Sequence, residues 1–312
     1  MRFVIGVDGG GTKTLLKLAD MDGNLLAACD GGPSNIYSTE TDRVEKVLRD
    51  LIFCALEKVG AEMCECEAIC LGMAGAGREE GVKILEGMAG RMGFTCKVII
   101  TSDVRTALYG GIGSEEGIIV IAGTGSICYG RNNAGESCRA GGWGHRIGDE
   151  GSGYAIGLKA LQSIMRSFDG RERYTALTPA VLGSLKMSSP EELVSYVYRS
   201  DTGKKEISDI AKIVDQVCMS GDAVAVGIQK NAAYELYLCA KSVIEKLHLM
   251  NQPAEMAVGG SLLTKSKFIR DEFCSIMNKQ YPLVGISDMK HDAAWGAVLI
   301  AFDQAIGKGR ED

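Results

Sequence analysis

The sequence lacks the features that mark several large classes of protein. It has no run of about 18 uninterrupted apolar residues, which a membrane-spanning helix needs. It opens with no basic stretch followed by an apolar one, as a secretory signal would. Positive charge is not in excess, because 34 Lys and Arg residues face 40 Asp and Glu residues, for a net charge of −6. These absences predict a cytoplasmic protein whose partners are neither membranes nor nucleic acids.

The 11 cysteines lack the spacing of a metal site. No C-x-x-C pair occurs, and the tightest group is Cys64, Cys66 and Cys70. Cys70 lies in an apolar run typical of a buried strand, where a free cysteine behaves as a small hydrophobe. We therefore expect reduced, structural thiols.

What is present is the composition of a globular protein, with 46% hydrophobic and 24% charged residues over 312 positions. This length predicts two domains, and the absence of a low-complexity linker predicts that they are closely joined. Short strand patterns alternate with helical ones along the chain. That alternation predicts α/β sheets covered by helices on both faces.

Two glycine-rich turns join predicted strands. They consist of Gly9, Gly10, Gly11, Thr12 and Lys13 in the first half of the chain, and of Gly123, Thr124 and Gly125 in the second. The first is not a P-loop, because Thr12 separates Lys13 from the last glycine and because the turn opens no helix. Glycine still lets backbone N–H groups approach phosphate oxygens closely. One such turn alone is also typical of an ordinary β-turn, but two facing turns predict a polyphosphate held from both sides.

Asp8 follows the predicted strand Arg2 to Val7 and precedes the first turn. A carboxylate there is placed to organise Mg²⁺ through water, since Mg²⁺ keeps much of its hydration shell. The structural alternative for Asp8 is an Asx-turn or a cap on the glycine turn. Hydrolase chemistry has little support, because His145 has no Gly-x-Ser-x-Gly elbow to serve and because the neighbouring carboxylates Asp149 and Glu150 rarely face each other across a scissile bond.

A longer block, Gly141 to Gly153, reads GGWGHRIGDEGSG. Together with the two turns it resembles the N-acetylglucosamine kinases, in the BadF/BadG/BcrA/BcrD ATPase branch of the actin, hexokinase and Hsp70 superfamily. The likeness runs in order from Asp8 to Trp295. It implies the α/β actin-like ATPase (ribonuclease H-like) fold, with two lobes that each contain a mixed sheet flanked by helices. The lobes are then residues 1–115, completed by a C-terminal helix over 292–312, and residues 116–291.

The resemblance also implies an activity: ATP-dependent phosphorylation of an amino sugar at its 6-hydroxyl, with Mg²⁺, by a protein that could form a homodimer as related kinases often do. Asp103 matches the catalytic base, which would accept the proton of the attacking hydroxyl. The alternative for Asp103 is the N-cap of the following helix. Gly259 and Gly260 match the adenosine-side turn, or they simply join a strand to a helix.

The resemblance assigns sugar contacts as well. The substrate-binding positions are Asn35, Asp103, Ser126, Gly142, Trp143, Gly144 and Asp149. A tryptophan beside glycines suits the apolar face of a pyranose, and a carboxylate can accept hydroxyl hydrogen bonds. The structural alternatives are a turn-forming role for Asn35 and, for Asp149, negative charge near the N-terminus of the next helix.

One position departs from the family pattern. Ile127 stands where the animal N-acetylglucosamine kinases have an asparagine that touches the sugar. The choice among N-acetylglucosamine, glucosamine and N-acetylmuramic acid is therefore open, since hydroxyl recognition gives such sites their discrimination. An apolar side chain could accommodate the lactyl ether of N-acetylmuramic acid.

Two other hypotheses share the fold. One is an ATPase that activates 2-hydroxyacyl-CoA dehydratases or benzoyl-CoA reductases through a cysteine-bound iron–sulfur cluster, which the abundant cysteines keep open. The other is a non-catalytic sugar or nucleotide sensor. The presence of Asp103 argues against the sensor, which needs no base.

Overall fold

The computed structural model describes residues 1–307 and divides into two compact units. The first unit is Met1–Gly117 together with the chain from Met289 onward, and the second is Ile118–Asp288. Each unit contains one five-stranded sheet flanked by helices, which confirms the predicted α/β architecture. Of the C-terminal helix expected over 292–312, Ala293–Ala305 is helical and residues 308–312 lie outside the described part.

The elements follow in chain order. The strands are β1 (Phe3–Gly9), β2 (Thr14–Asp20), β3 (Leu25–Gly31), β4 (Cys66–Met73), β5 (Lys97–Ser102), β6 (Gly117–Ala122), β7 (Ser126–Arg131), β8 (Ser137–Gly141), β9 (Ala254–Gly259) and β10 (Val284–Asp288). The helices are α1 (Thr41–Val59), α2 (Glu79–Met92), α3 (Asp103–Ile112), α4 (Gly153–Phe168), α5 (Leu177–Leu185), α6 (Glu192–Tyr198), α7 (Lys204–Met219), α8 (Ala223–Lys246), α9 (Ser261–Lys265), α10 (Lys267–Gln280) and α11 (Ala293–Ala305), with a short 3-10 helix at Met63–Glu65.

The two sheets share one strand order. The first runs β3-β2-β1-β4-β5, and the second, read from its other end, runs β8-β7-β6-β9-β10. In the first sheet β1 is antiparallel to β2 and parallel to β4, so that Asp8 lies opposite Leu15 on one side and Gly72 on the other. Because β4 and β5 are also parallel, the carboxyl ends of β1, β4 and β5 lie at the same edge. Asp8, near the end of β1, and Asp103, directly after β5, lie at this edge.

Strand β1 is buried on both faces, as expected for the centre of a sheet covered by two helical layers. Phe3, Ile5 and Val7 belong to a cluster that includes buried residues of α1 and α2. Val4 belongs to a second cluster, which includes Ala297 on α11. The near-continuous apolar run of β1 follows from this two-sided burial.

Helix α11 approaches β1 and α3 at glycines. A Cβ on Gly6 would overlap the backbone nitrogen of Val298, and a Cβ on Gly296 would overlap the carbonyl oxygen of Thr106. Only glycine permits contacts this close between backbones. They fix the start of α11, and with it the residue that caps the helix, Asp292.

The described residues contain no helix long and apolar enough to cross a membrane. All 11 cysteines lie within residues 1–307 and are free thiols. Burial raises the pKa of Cys70 to about 12, so this thiol stays protonated at neutral pH. Across the same residues, no three His, Cys, Asp or Glu side chains are grouped so that they could hold a metal ion directly.

Candidate active site

The glycine turn of the first unit connects β1 to β2 and is held by backbone hydrogen bonds. Gly10 N–H donates to the carbonyl of Lys13 at 3.0 Å, which closes the turn. The carbonyl of Gly9 accepts from Ala74 N–H at 2.7 Å, and that of Gly10 accepts from Ser34 N–H at 3.0 Å. The neighbouring loops thus hold the turn in place while its tip, residues 11–13, stays exposed.

Asn35 lies beside this turn. Its Oδ1 accepts a hydrogen bond from Tyr37 N–H at 2.9 Å, which is an Asx-turn, so the structural role considered for Asn35 is real. Its Nδ2 lies 3.9 Å from the position that a Cβ on Gly11 would occupy. The amide therefore lies close to the glycine tip. Its Oδ1 forms the turn, and this does not prevent Asn35 from contacting a ligand as well.

Two carboxylates, Asp103 and Asp292, act on the carboxyl of Asp8 in the first unit. Asp8, on β1, has a pKa raised to about 7, first because the protein desolvates its carboxyl and then because of the charges of Asp103 and Asp292. The charge of Lys13 opposes the shift. Asp292 caps α11 through Trp295 N–H at 2.9 Å and pairs with Lys17 at 2.7 Å. Negative charge concentrated in this way favours the binding of a cation.

Asp103 is the first residue of α3, one position after the cap. Ser102 is the N-cap, and its Oγ accepts from Arg105 N–H at 3.4 Å. The capping alternative considered for Asp103 is therefore wrong. The reason is that β5 extends to Ser102 through its pairing with β4, two residues further than the apolar run Lys97 to Ile100 indicates. The Asp103 carboxylate instead accepts a hydrogen bond from Val104 N–H at 3.0 Å and lies at the carboxyl end of β5.

The glycine turn of the second unit connects β6 to β7 and is anchored by α4. Gly123 N–H donates to the carbonyl of Gly125 at 2.8 Å. The carbonyl of Gly123 accepts from Gly153 N–H at 2.7 Å, and that of Thr124 accepts from Tyr154 N–H at 3.4 Å. The start of α4 thus takes up two carbonyls of the turn. This arrangement fixes the turn on the Gly141 to Gly153 block.

Asp149 organises that block. It is 4% exposed and has a φ of 59°, which is uncommon for a residue with a side chain. Its Oδ1 accepts from Gly144 N–H at 3.1 Å, and its Oδ2 pairs with Lys204 Nζ at 2.8 Å. Each oxygen keeps a second lone pair, so the carboxylate can still accept hydroxyl hydrogen bonds.

The apolar part of the same block surrounds Trp143. The Trp143 side chain is 54% exposed, and the guanidinium of Arg139 lies 4.0 Å from its ring centroid. Gly142 has a φ of 69°, and a Cβ there would lie 2.5 Å from Cδ1 of Ile127. The residue that departs from the family pattern therefore packs directly beneath the tryptophan loop.

Two further predicted positions have identifiable structural roles. Ser126 is buried, and its Oγ donates to the carbonyl of Glu150 at 2.6 Å. Gly260 has a φ of 82° and precedes α9, and a Cβ there would overlap the carbonyl oxygen of Ala122. A Cβ on Gly123 would lie 3.8 Å from the backbone nitrogen of Ser261, which brings the β9–α9 turn next to the glycine turn.

His145 lies on the same block. Its ring packs edge-on against Tyr154, with centroids 4.8 Å apart. Burial, and then the charges of Lys204 and Arg146, lower the pKa of His145. The imidazole is therefore biased towards its neutral form.

Each unit thus gathers its own set of predicted residues. The first unit brings together Asp8, Asn35, Asp103 and the turn Gly9, Gly10, Gly11, Thr12 and Lys13. The second brings together the turn Gly123, Thr124 and Gly125, the neighbours Ser126, Gly142, Trp143, Gly144 and Asp149, and the turn Gly259 and Gly260. The sequence reasoning missed Lys17, Asp292 and Lys204. Only Asp292 had a local signal, as an N-cap at the start of the closing helix.

The chain is similar to known proteins over nearly its whole length. It is 46% identical over 301 residues to the N-acetylmuramic acid/N-acetylglucosamine kinase of Clostridium acetobutylicum, covering 96% of this chain and 98% of that protein. It is 30% identical to the N-acetyl-D-glucosamine kinase of Dictyostelium discoideum, covering 96% and 97%. A crystal structure of a Chromobacterium violaceum protein provisionally named an N-acetylglucosamine kinase matches with a TM-score of 0.79 and 26% identity, covering 96% and 99%.

These matches agree with the fold. Two five-stranded sheets flanked by helices agree with the predicted actin-like ATPase fold, as does the match to the Chromobacterium violaceum structure. The family model described as the BadF/BadG/BcrA/BcrD ATPase family matches residues 5–301. The resemblance noted in the glycine turns and in the Gly141 to Gly153 block is confirmed, and the chain belongs to the BadF/BadG/BcrA/BcrD ATPase family.

Proposed function

We propose that this protein is an ATP-dependent kinase that phosphorylates the 6-hydroxyl of amino sugars, with N-acetylglucosamine and N-acetylmuramic acid as substrates. The observation that carries the proposal is the similarity along almost the entire chain to kinases named for these sugars. The activator hypothesis with an iron–sulfur cluster is not favoured, because the two relatives described above are named as sugar kinases.

The two glycine turns are the proposed phosphate-binding groups. In the turn at Gly123–Gly125 two carbonyls are bound to α4, so the amide N–H groups of Thr124 and Gly125 are what the turn can offer an anion. The turn at Gly9–Lys13 offers backbone N–H groups and an exposed lysine. Gly259 and Gly260, next to Gly123, are proposed to hold the adenosine side of the nucleotide.

Asp8 fits a role as an indirect ligand of Mg²⁺. Its raised pKa reflects a carboxyl whose ionised form is poorly stabilised by the protein alone, and a nearby divalent cation would stabilise that form. Mg²⁺ bound to the nucleotide supplies positive charge that offsets the charge of the transferring phosphoryl group. Asp8 would hold a water molecule of that ion, since the described residues form no direct three-ligand group.

Asp103 is the proposed general base. Its carboxylate, at the carboxyl end of β5, would accept the proton of the sugar 6-hydroxyl as that oxygen attacks the γ-phosphorus in line. Asn35, Ser126, Gly142, Trp143, Gly144 and Asp149 are the proposed sugar contacts. Ser126 donates its hydroxyl hydrogen to Glu150, so we propose that it acts on the sugar as an acceptor.

The first test is a coupled assay for ADP release with glucose, glucosamine, N-acetylglucosamine and N-acetylmuramic acid. The proposal predicts turnover with the two N-acetylated amino sugars. A 6-deoxy analogue of N-acetylglucosamine should bind without releasing ADP. Turnover of that analogue would exclude the 6-hydroxyl as the acceptor, and the absence of turnover with all four sugars would overturn the proposed function.

The second test is Asp103→Asn, which removes the base and keeps the shape of the side chain. We expect kcat to fall by about 10²- to 10⁴-fold, the usual contribution of general base catalysis, while ATP and sugar still bind. Asp42→Asn is the matched control, because Asp42 is also an acidic residue in the first turn of a helix. A kcat for Asp103→Asn equal to that of the control would refute the assignment.

A further inference from the structure

Lys204 places a positive charge beside the glycine turn of the second unit. It is the first residue of α7, and its Nζ lies 2.8 Å from Oδ2 of Asp149. The same Nζ lies 3.1 Å from the position that a Cβ on Gly125 would occupy. The side chain of Asp149 is 5% exposed, whereas that of Lys204 keeps 34% of its surface exposed. The ion pair is therefore buried on the carboxylate side and open on the ammonium side.

This placement resolves an electrostatic conflict in the proposed site. Oδ2 of Asp149 lies 2.9 Å from the same Cβ position on Gly125, so an ionised carboxylate directly adjoins the turn. An unneutralised negative charge there would repel the phosphates that the turn is proposed to bind. A lysine ammonium has three donor hydrogens, of which the pair with Asp149 uses one. The remaining donors of Lys204 can reach an anion at the turn.

We propose that Lys204 is a nucleotide-binding residue of the proposed kinase, whose ammonium neutralises Asp149 and donates to a phosphate oxygen at the Gly123–Gly125 turn. This inference rests on the proposed function for the identity of the anion. It assigns Lys204 a contact with the nucleotide, in addition to its structural pairing with the sugar-side carboxylate.

The test measures the Kd of ATP and of ADP by calorimetry, without sugar, for Lys204→Met. We expect both Kd values to rise by about 30-fold, the loss typical of removing one member of a buried charge pair at a binding site. Lys204→Arg keeps the charge and should stay within about threefold of the wild type, because a guanidinium pairs with both carboxylate and phosphate. Lys205→Met is the matched control: Lys205 is the next residue, is exposed and pairs with Asp209, so its variant should bind as the wild type does.

A double variant separates the two roles of the ammonium. In the double variant Lys204→Met with Asp149→Asn the repulsive carboxylate is gone, so part of the ATP affinity that Lys204→Met loses should return. The KM of the double variant for the sugar should remain above that of the wild type. If Lys204→Met raises only the KM for the sugar and leaves the Kd of ATP unchanged, Lys204 serves Asp149 alone and the proposal is wrong. Should Lys204→Met fail to fold, Lys204→Gln, which can still donate to Asp149, must show the same loss of ATP affinity.

These binding measurements are independent of turnover. A wild-type protein that binds ATP but phosphorylates no amino sugar would refute the proposed function, while the comparison of Lys204 variants would still decide the role of Lys204. Equal ATP affinity in the wild type, Lys204→Met and Lys205→Met would refute the role of Lys204, whatever the sugar assay showed.

Discussion

Replacing Asp8 by asparagine should stabilise the fold and abolish activity. The pKa of Asp8 is raised from its ordinary value near 3.8 to about 7, first by desolvation and then by Asp103 and Asp292. Between these two pH values the folded protein binds a proton that the unfolded chain has released. The free energy of unfolding therefore falls as the pH rises from about 4 to about 7, and it is constant with respect to this group above that range.

The size of the effect follows from the two pKa values. A difference of about 3 in pKa corresponds to about 4 kcal/mol, since each pKa unit is worth about 1.4 kcal/mol. Asparagine has the shape of the neutral acid and cannot ionise. Asp8→Asn therefore avoids the free-energy cost of ionising this carboxyl in the folded protein. We expect the variant to be more stable than the wild type by up to about 4 kcal/mol at pH 8 and by less than about 1 kcal/mol at pH 4.

The assay is urea denaturation of both proteins at several pH values between 4 and 8, with a chelator present so that no divalent cation offsets the charge. The quantity of interest is the difference in unfolding free energy between variant and wild type, because the contributions of the other titrating groups to the two proteins largely cancel in it. Asp50→Asn, an exposed aspartate on α1, is the matched control and should show no such pH dependence. A difference for Asp8→Asn that is the same at every pH would refute the reasoning.

The same substitution tests the functional side of the argument. If Asp8 holds a water of the nucleotide-bound Mg²⁺, adding Mg²⁺ and ADP should stabilise the wild type more than Asp8→Asn, and kcat should be lost in the variant. A residue whose ionised form destabilises the folded protein is typical of a site built for a ligand.

Two further substitutions test specificity and packing. Ile127→Asn introduces a polar group beneath the Trp143 loop. The ratio of kcat/KM for N-acetylglucosamine to kcat/KM for N-acetylmuramic acid, measured by ADP release, should then rise by about 10-fold or more. An unchanged ratio would show that Ile127 does not contact the lactyl ether of N-acetylmuramic acid. Gly296→Ala forces a Cβ onto the carbonyl of Thr106 and should lower the free energy of unfolding by about 1–3 kcal/mol. Gly87→Ala on α2 should raise it slightly, because a Cβ there would make only an ordinary contact with the Arg91 side chain, at 3.6 Å. Equal effects in thermal melts would contradict the packing argument.

The sequence predicted the elements whose ends are set by local signals. The sequence pattern predicts a helix from about Glu79 to Met92 and strands over Gly117 to Ala122 and Ser126 to Arg131. The observed bounds of α2, β6 and β7 coincide with these, because glycine-rich turns or polar stretches delimit them. Strands β1 and β5 extend two residues beyond the predictions. Their ends depend on parallel pairing with β4, a partner distant in sequence, and a local apolar pattern carries no information about such a partner. The extension of β5 is what assigns the cap of α3 to Ser102.

In the candidate site, too, local sequence predicts some residues, while others depend on partners distant in the sequence. The residues found from the sequence belong to contiguous motifs, in which glycine and acidic residues stand at fixed spacing. Lys17, Lys204 and Asp292 belong to no motif, because each becomes relevant only through a neighbour that folding brings close: Asp292 for Lys17, Asp149 for Lys204, and Asp8 for Asp292. One sequence without its contacts gives no reason to choose Lys17 or Lys204 among the many charged residues, and the N-cap signal of Asp292 indicates a helix start rather than a site.

The two glycine turns differ in how the protein treats the negative charge beside them. In the second unit the protein itself supplies the counter-charge, since Lys204 pairs with Asp149 at the turn. In the first unit burial, and then the charges of Asp103 and Asp292, raise the pKa of Asp8 to about 7, and Lys13 only partly offsets this shift. A turn already neutralised can accept a phosphate without help, whereas a turn beside excess carboxylate needs a cation to arrive with the phosphate. We therefore propose that the Mg²⁺ of the proposed reaction is held in the first unit, through Asp8.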